Sequence, residues 1–250
     1  MIRRLIPLFA LALALPLSSR ADADETLIQD MNTRVQALKR DALSTPDLKQ
    51  ATEDQAQMAK IMEDTLAKLS PKARAMMTVS LKVVQPLQEQ AGTYVKMVDA
   101  FSSSDDARFT TITGRDQIGP RRERIAKLAA ANAALITLYH GMREHAEQLL
   151  ATADIASAEK KAYLNEFDES FGRTIGPTMA IRELDRKLYG EWTAALDLLD
   201  RQWGKWTVNP QQQIEWAAAE GRDQFNAIMA NIQTYSERQR RAQELLANRA

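Results

Sequence analysis

Of the six prolines beyond residue 23, five stand where a helix should begin: Pro46 in "STP", Pro71 in "LSP", Pro120 and Pro177 in "IGP", and Pro210 in "VNP". Proline suits the first position of a helix, where its missing N–H would have no partner anyway. The residues before them, Thr45, Ser70, Gly119, Gly176 and Asn209, are acceptable N-caps, and Asn209 with Gln212 resembles a capping box. Only Pro86 falls inside a helical pattern, where it predicts a kink.

Between these marks the apolar residues recur at alternating intervals of three and four. Examples are Ile28, Met31, Val35, Leu38 and Ala42, and then Ile125, Leu128, Leu135, Tyr139, Met142, Ala146 and Leu149. Asn132 is the polar break in the second series, and a lone seam asparagine fixes register between helices at some cost in stability. Further series run Leu188, Trp192, Leu196, Leu199, Trp203, Trp206, and Ile214, Ala218, Gly221, Phe225, Ile228, Ile232, Tyr235. The one strand-like stretch, "RFTTIT" at 108–113, is too short to found a sheet. The pattern predicts an all-α fold, an elongated antiparallel bundle of about seven helices with heptad, coiled-coil-like packing. The helices are expected near 24–44, 46–69, 71–101, 120–152, 157–172, 177–206 and 210–247.

The beginning of the chain has the layout of an export signal: basic "MIRR", thirteen apolar residues at 5–17, then "SSRADA" with small residues spaced for cleavage after Ala21 or Ala23. Thirteen residues fall short of the ~20 that cross a bilayer. A leader at 1–23 and a single helical domain over 24–250 are therefore expected, without a transmembrane segment in the mature chain, which would be soluble in the periplasm or secreted. Removing residues 1–23 takes away Arg3, Arg4, Arg20 and Asp22 and leaves 30 basic against 32 acidic residues. Such a balance argues against a nucleic-acid partner. The chain has no cysteine, so neither disulfides nor thiol chemistry enter.

Three of the four tryptophans fall in "WGKWTVNPQQQIEW" at 203–216. Trp192, Trp203 and Trp206 share a seam with Leu196 and Leu199, and all three are expected in the core. On a helix starting at Pro210, Trp216 would point away from its own seam and fold back near Trp206. The pair is either a clasp over two helices or an aromatic binding patch formed by Trp206 and Trp216.

Chemistry-bearing motifs are few. His140 and His145 are five apart and diverge on a helix, and Thr137 and Met142 occupy the positions that would complete a Glu-x-x-His pair, so no metal or other cofactor is expected. There is no nucleophile elbow, phosphate loop or calcium loop. The segment "FSSSDDARFTTITGRDQIGPRRER" breaks the helical rhythm with a long loop near 102–119. It places Arg121, Arg122 and Arg124, with Arg115 upstream, at the positive end of a helix, where each cation costs ~0.3–1 kcal/mol. Acidic company must offset them. Asp105, Asp106, Asp116 and Glu123 could supply it internally, or the four arginines form an anion or partner-binding site.

The function expected is an exported, non-enzymatic envelope protein that binds another macromolecule, as adaptor, chaperone or inhibitor. Its partner would be an envelope protein or an anionic envelope component, and self-association fits the same exposed helical faces. A carrier of an apolar or lipid-like ligand is the alternative. A helical enzyme on cell-envelope glycans comes third, since that chemistry needs only two placed carboxylates.

Overall fold

A computed structural model describes the backbone of residues 22–44 and 48–247, and the side chains of 23–38, 53, 54 and 56–246. All but the last two residues of the expected leader, and Pro46, lie outside them. The fold is all-α. Six α-helices occur among the described residues: α1 (Asp22–Ser44), α2 (Leu48–Lys68), α3 (Pro71–Ser103), α4 (Ile118–Thr152), α5 (Ser157–Arg201) and α6 (Ala219–Ala247). One small antiparallel hairpin joins the last two helices, formed by β1 (Trp206–Val208) and β2 (Ile214–Trp216). None of these helices is long and apolar enough to cross a membrane. The residues group into two compact units, and α3, α4 and α5 each supply residues to both.

In the unit holding α1, α2, residues 71–91, 135–152 and 157–178, the core starts from the sequence seams. Ile28, Met31 and Val35 of α1 pack with Met58, Ile61 and Leu69 and with Ala73 and Met77 of α3. The α2–α3 corner shows how helix ends are satisfied. Ser70 caps α3 ahead of Pro71, its Oγ accepting from the Ala73 N–H at 3.3 Å, while the Asp24 carboxylate accepts from the Ser70 N–H and hydroxyl at 3.0 and 2.6 Å. Arg74 donates to the carbonyls of Leu66, Ala67 and Leu69, three of the acceptors a helix leaves open at its end.

The second unit comprises residues 92–134 and 179–244, and a cluster of aromatic rings lies in its core beside Leu128, Leu196 and Leu199. Phe101 meets Trp192 edge-on at 5.3 Å, Phe109 lies 4.6 Å from Trp192 and 5.8 Å from Phe225, and Phe225 lies 5.7 Å from Trp216.

Three expectations are corrected. The helices expected at 157–172 and 177–206 are one, with Pro177 inside it. Buried Tyr163 and Phe167 before the proline, and Ile181, Asp185 and Tyr189 after it, anchor both sides and override the lost hydrogen bond. Six helices therefore stand where about seven were expected. Pro210 starts no helix but sits in the hairpin turn. There Asn209 Oδ1 accepts from the Gln213 N–H at 2.9 Å, and Gln212 takes φ 60°. Alternation of Trp206, Val208, Ile214 and Trp216 explains the hairpin: it turns all four to one face, with Thr207 and Glu215 outward and exposed. The stretch at 108–113, expected to found no sheet, forms a 3-10 turn, Phe109–Thr111, one of three between α3 and α4. It is held because Phe109 is drawn into the aromatic core.

Gly221 has a requirement of its own. A Cβ there would lie 2.5 Å from Cε3 of Trp216. Gly→Ala inside a helix ordinarily stabilises by ~1 kcal/mol. Here Gly221→Ala is expected to lower stability by ~1–3 kcal/mol, and the same change in a Trp216→Ala background to raise it. Denaturant titration of the four proteins checks both signs; stabilisation in the wild-type background would show that Trp216 does not rest on α6.

Candidate functional site

The arginines and tryptophans singled out in the sequence lie in the second unit, where Arg115, Arg122 and Trp206 are each tied to the last turns of α5. Arg121 is 4% exposed. It donates to the Arg108 carbonyl at 2.7 Å and the Thr111 hydroxyl at 2.8 Å, with Asp106 at 3.6 Å. Arg124 pairs with the same Asp106 carboxylate. Arg122 binds Asp197 at 2.7 Å and Asp200 at 3.0 Å, and Arg115 binds Asp200 at 2.7 Å. The acidic company is thus internal for all four arginines. Only part of it was named in the sequence: Asp106 is local, whereas Asp197 and Asp200 come from the last turns of α5. The guanidiniums of Arg115 and Arg122 hold the Asp200 carboxyl below the usual range. Burial lowers Arg121, with Asp105 opposing, though a guanidinium stays charged.

Residues 104–117 are shaped by these contacts. Ser104 caps the first turn at Asp106 N, and the Gln117 side chain accepts from the Thr113 N–H at 2.9 Å and the Gly114 N–H at 3.4 Å. Arg121 then ties Arg108 and Thr111 to the start of α4.

Just beyond Asp200, α5 ends and the tryptophans begin. Trp206 is buried, and its indole N–H donates to the Leu199 carbonyl at 2.9 Å, closing an open acceptor of α5. Trp216 stands opposite it in the strand register and is half-buried. Trp203 departs from expectation. It is 36% exposed, because α5 stops at Arg201 and Gly204, at φ 81°, turns the chain before the seam can continue. Its ring rests edge-on against Trp206 at 5.2 Å.

A second constellation lay hidden in the sequence among ordinary helical charges. Arg182 and Asp185 are 6% and 1% exposed and face each other at 3.2 Å. The Arg182 guanidinium also lies 4.9 Å over the Tyr94 ring, the Tyr94 and Tyr189 hydroxyls share a 2.6 Å hydrogen bond, and Gln239 of α6 donates to Asp185. Asn132, 1% exposed, donates to the Arg182 carbonyl at 2.8 Å. Spacing offered a signal: Thr178, Arg182, Asp185, Tyr189 and Trp192 keep helical intervals of three and four. Burial raises the Asp185 carboxyl, with Arg182 opposing, and raises both tyrosines.

His140 is exposed, and Nε2 of half-buried His145 lies 3.3 Å from the Lys82 carbonyl. Among the described residues no group of three His, Cys, Asp or Glu side chains is placed to hold a metal. No family model, curated protein or solved structure matches this chain.

Two predictions follow from the geometry. Trp206→Ala is expected to cost ~3–5 kcal/mol and Trp203→Ala under ~1 kcal/mol; equal losses on denaturation would place Trp203 in the core. For Asp185, a folded pKa above the unfolded one means that its stabilising effect is complete below the unfolded pKa. It is lost as pH rises toward the folded value. Arg182→Gln leaves that carboxylate buried without its cation. The variant is expected to lose ~3–5 kcal/mol at pH 7 and less at about pH 4, where the carboxyl binds its proton. A loss independent of pH would exclude Asp185 as the group responsible.

Proposed function

We infer that the chain is an exported, non-enzymatic helical protein that binds another macromolecule of the cell envelope through the arginine–tryptophan end of its second unit. One observation carries the reading. Trp203 is a large aromatic left 36% exposed yet held against Trp206, which is itself pinned to Leu199. An aromatic fixed before a partner arrives loses little freedom on binding, and such tryptophans are the residues on which interfaces most depend. Exposed Arg201 and Lys205 flank it in sequence, and exposed Arg115 and half-buried Arg122 share the Asp200 carboxylate, three residues before it. This setting favours a partner that brings an apolar group with carboxylates around it.

Two further features support the reading. The basic start, the apolar run at 5–17 and the small residues at 19, 21 and 23 favour export to the periplasm or beyond. Tyr94, Asp185 and Tyr189, whose acidity burial weakens, are shut among helices and engage one another, an arrangement that serves structure rather than substrate.

Placing a photo-crosslinking residue at position 203, and in a second protein at exposed Lys161, tests this in the native envelope. Position 203 is expected to trap one discrete envelope protein that position 161 does not. A lipid adduct at 203 would favour a carrier, and identical adducts from both positions would overturn the assignment of this surface.

A further inference from the structure

The sequence and the structure disagree at one place in α5, and the disagreement is local to the first unit. Within "FGRTIGP", 171–177, Gly176 and Pro177 read as an N-cap and first residue of a new helix, yet α5 runs through them from Ser157 to Arg201. Glycine and proline are the two least favourable residues for a helix interior, and three of them fall within these seven positions. Pro177 brings no N–H for the Arg173 carbonyl, and its ring crowds that carbonyl.

Packing does little to hold this stretch. Between buried Phe167 and buried Thr178, ten successive residues are half-buried or exposed, the longest such run inside any helix among the described residues. The side-chain hydrogen bonds of Thr174 and Thr178 return only to α5 itself, at Ser170, Phe171 and Thr174. Arg173 reaches only Glu169, at 3.8 Å with both side chains largely exposed. Asp168, at the start of the run, is tethered to Arg143 of α4 at 2.7 Å. Helix α3 offers an internal comparison: its proline, Pro86, is bracketed by buried Val83, Val84, Leu87 and Ala91. Tertiary packing grips α3 on both sides of its proline, whereas in α5 the buried anchors stop at Phe167 and resume only at Thr178.

We propose that α5 is a two-state element that opens at 172–177 while its packed portions on either side stay helical. On opening, the downstream portion re-forms its start at Gly176–Pro177, the cap its sequence already supplies. Opening frees the segment "GRTIGP" and loosens the Phe171 and Ile175 side chains, which the closed helix keeps half-buried. Local conflict between propensity and fold is where such bistability is expected.

Amide hydrogen exchange on the purified full chain tests this. The amides of 173–176 and 178–180 are expected to exchange at least roughly a hundredfold faster than those of 189–199 and of 83–91. Native trypsin should cut first after Arg173. A Gly172→Ala, Gly176→Ala double variant should slow exchange in 173–180 by roughly tenfold or more while leaving 83–91 unchanged. Protection at 173–180 equal to that of 189–199 would overturn the proposal, as would a folded double variant with wild-type exchange there. The wild-type profile alone decides if that variant fails to fold.

Discussion

A buried arginine and a buried aspartate, 3.2 Å apart, set the terms for the second unit. Desolvating two charges costs several kcal/mol each, and mutual attraction rarely returns more than that. Arg182 and Asp185 are therefore poor sources of stability, yet each is engaged by more than its partner. Tyr94 from α3 lies under the guanidinium, Asn132 from α4 holds the Arg182 backbone, and Gln239 from α6 holds the carboxylate. Apolar seams on four helices tolerate sliding by a turn. Polar contacts do not, because a slip would strand a charge without water. We read the cluster as the device that sets the register of these helices, with the surrounding aliphatic and aromatic side chains providing the apolar burial.

Once the helices are in register, the end of the unit follows. The last turns of α5 place Asp197 and Asp200 where Arg115 and Arg122 can reach them, and Arg121 sinks between the helix start and the 104–117 turns. Cations at a helix N-terminus are unfavourable, and here each meets a carboxylate that offsets the dipole. The same turns bring Phe109 under Trp192, so the loop is folded inward by one aromatic and one arginine. Trp206 and Trp216 close the corner, and Trp203 is left outside because α5 stops two residues too early to bury it.

Much of this was legible in residues, and the exceptions have physical causes. The ends of α3 and α4 lie within two residues of expectation, since Ser70–Pro71 and the 102–119 break punctuate strongly. Asn132 was recognisable as a seam asparagine, though not that its partner would be a backbone carbonyl fifty residues on. The hairpin was missed because Ile214 also fits a helical series with Ala218 and Gly221. The apolar alternation of 206, 208, 214 and 216 around Asn209–Pro210 was the competing signal. Trp203 was misplaced because a seam shows facing but not where a helix stops. Arg182, Asp185 and Gln239 escaped notice because charged helix residues usually face water, and only their spacing marked them as inward.

The claim that the polar cluster sets register is tested most directly by replacing it with apolar residues of similar size. The triple variant Arg182→Met, Asp185→Leu, Gln239→Leu keeps the volume and removes the charges. Register-setting predicts a variant of equal or greater thermal stability whose amide ¹H–¹⁵N spectrum loses its single set of sharp resonances in residues 92–134 and 179–244, as the helices sample more than one alignment. A spectrum as sharp and singular as that of the wild type, with the Trp206 indole resonance unmoved, would contradict it.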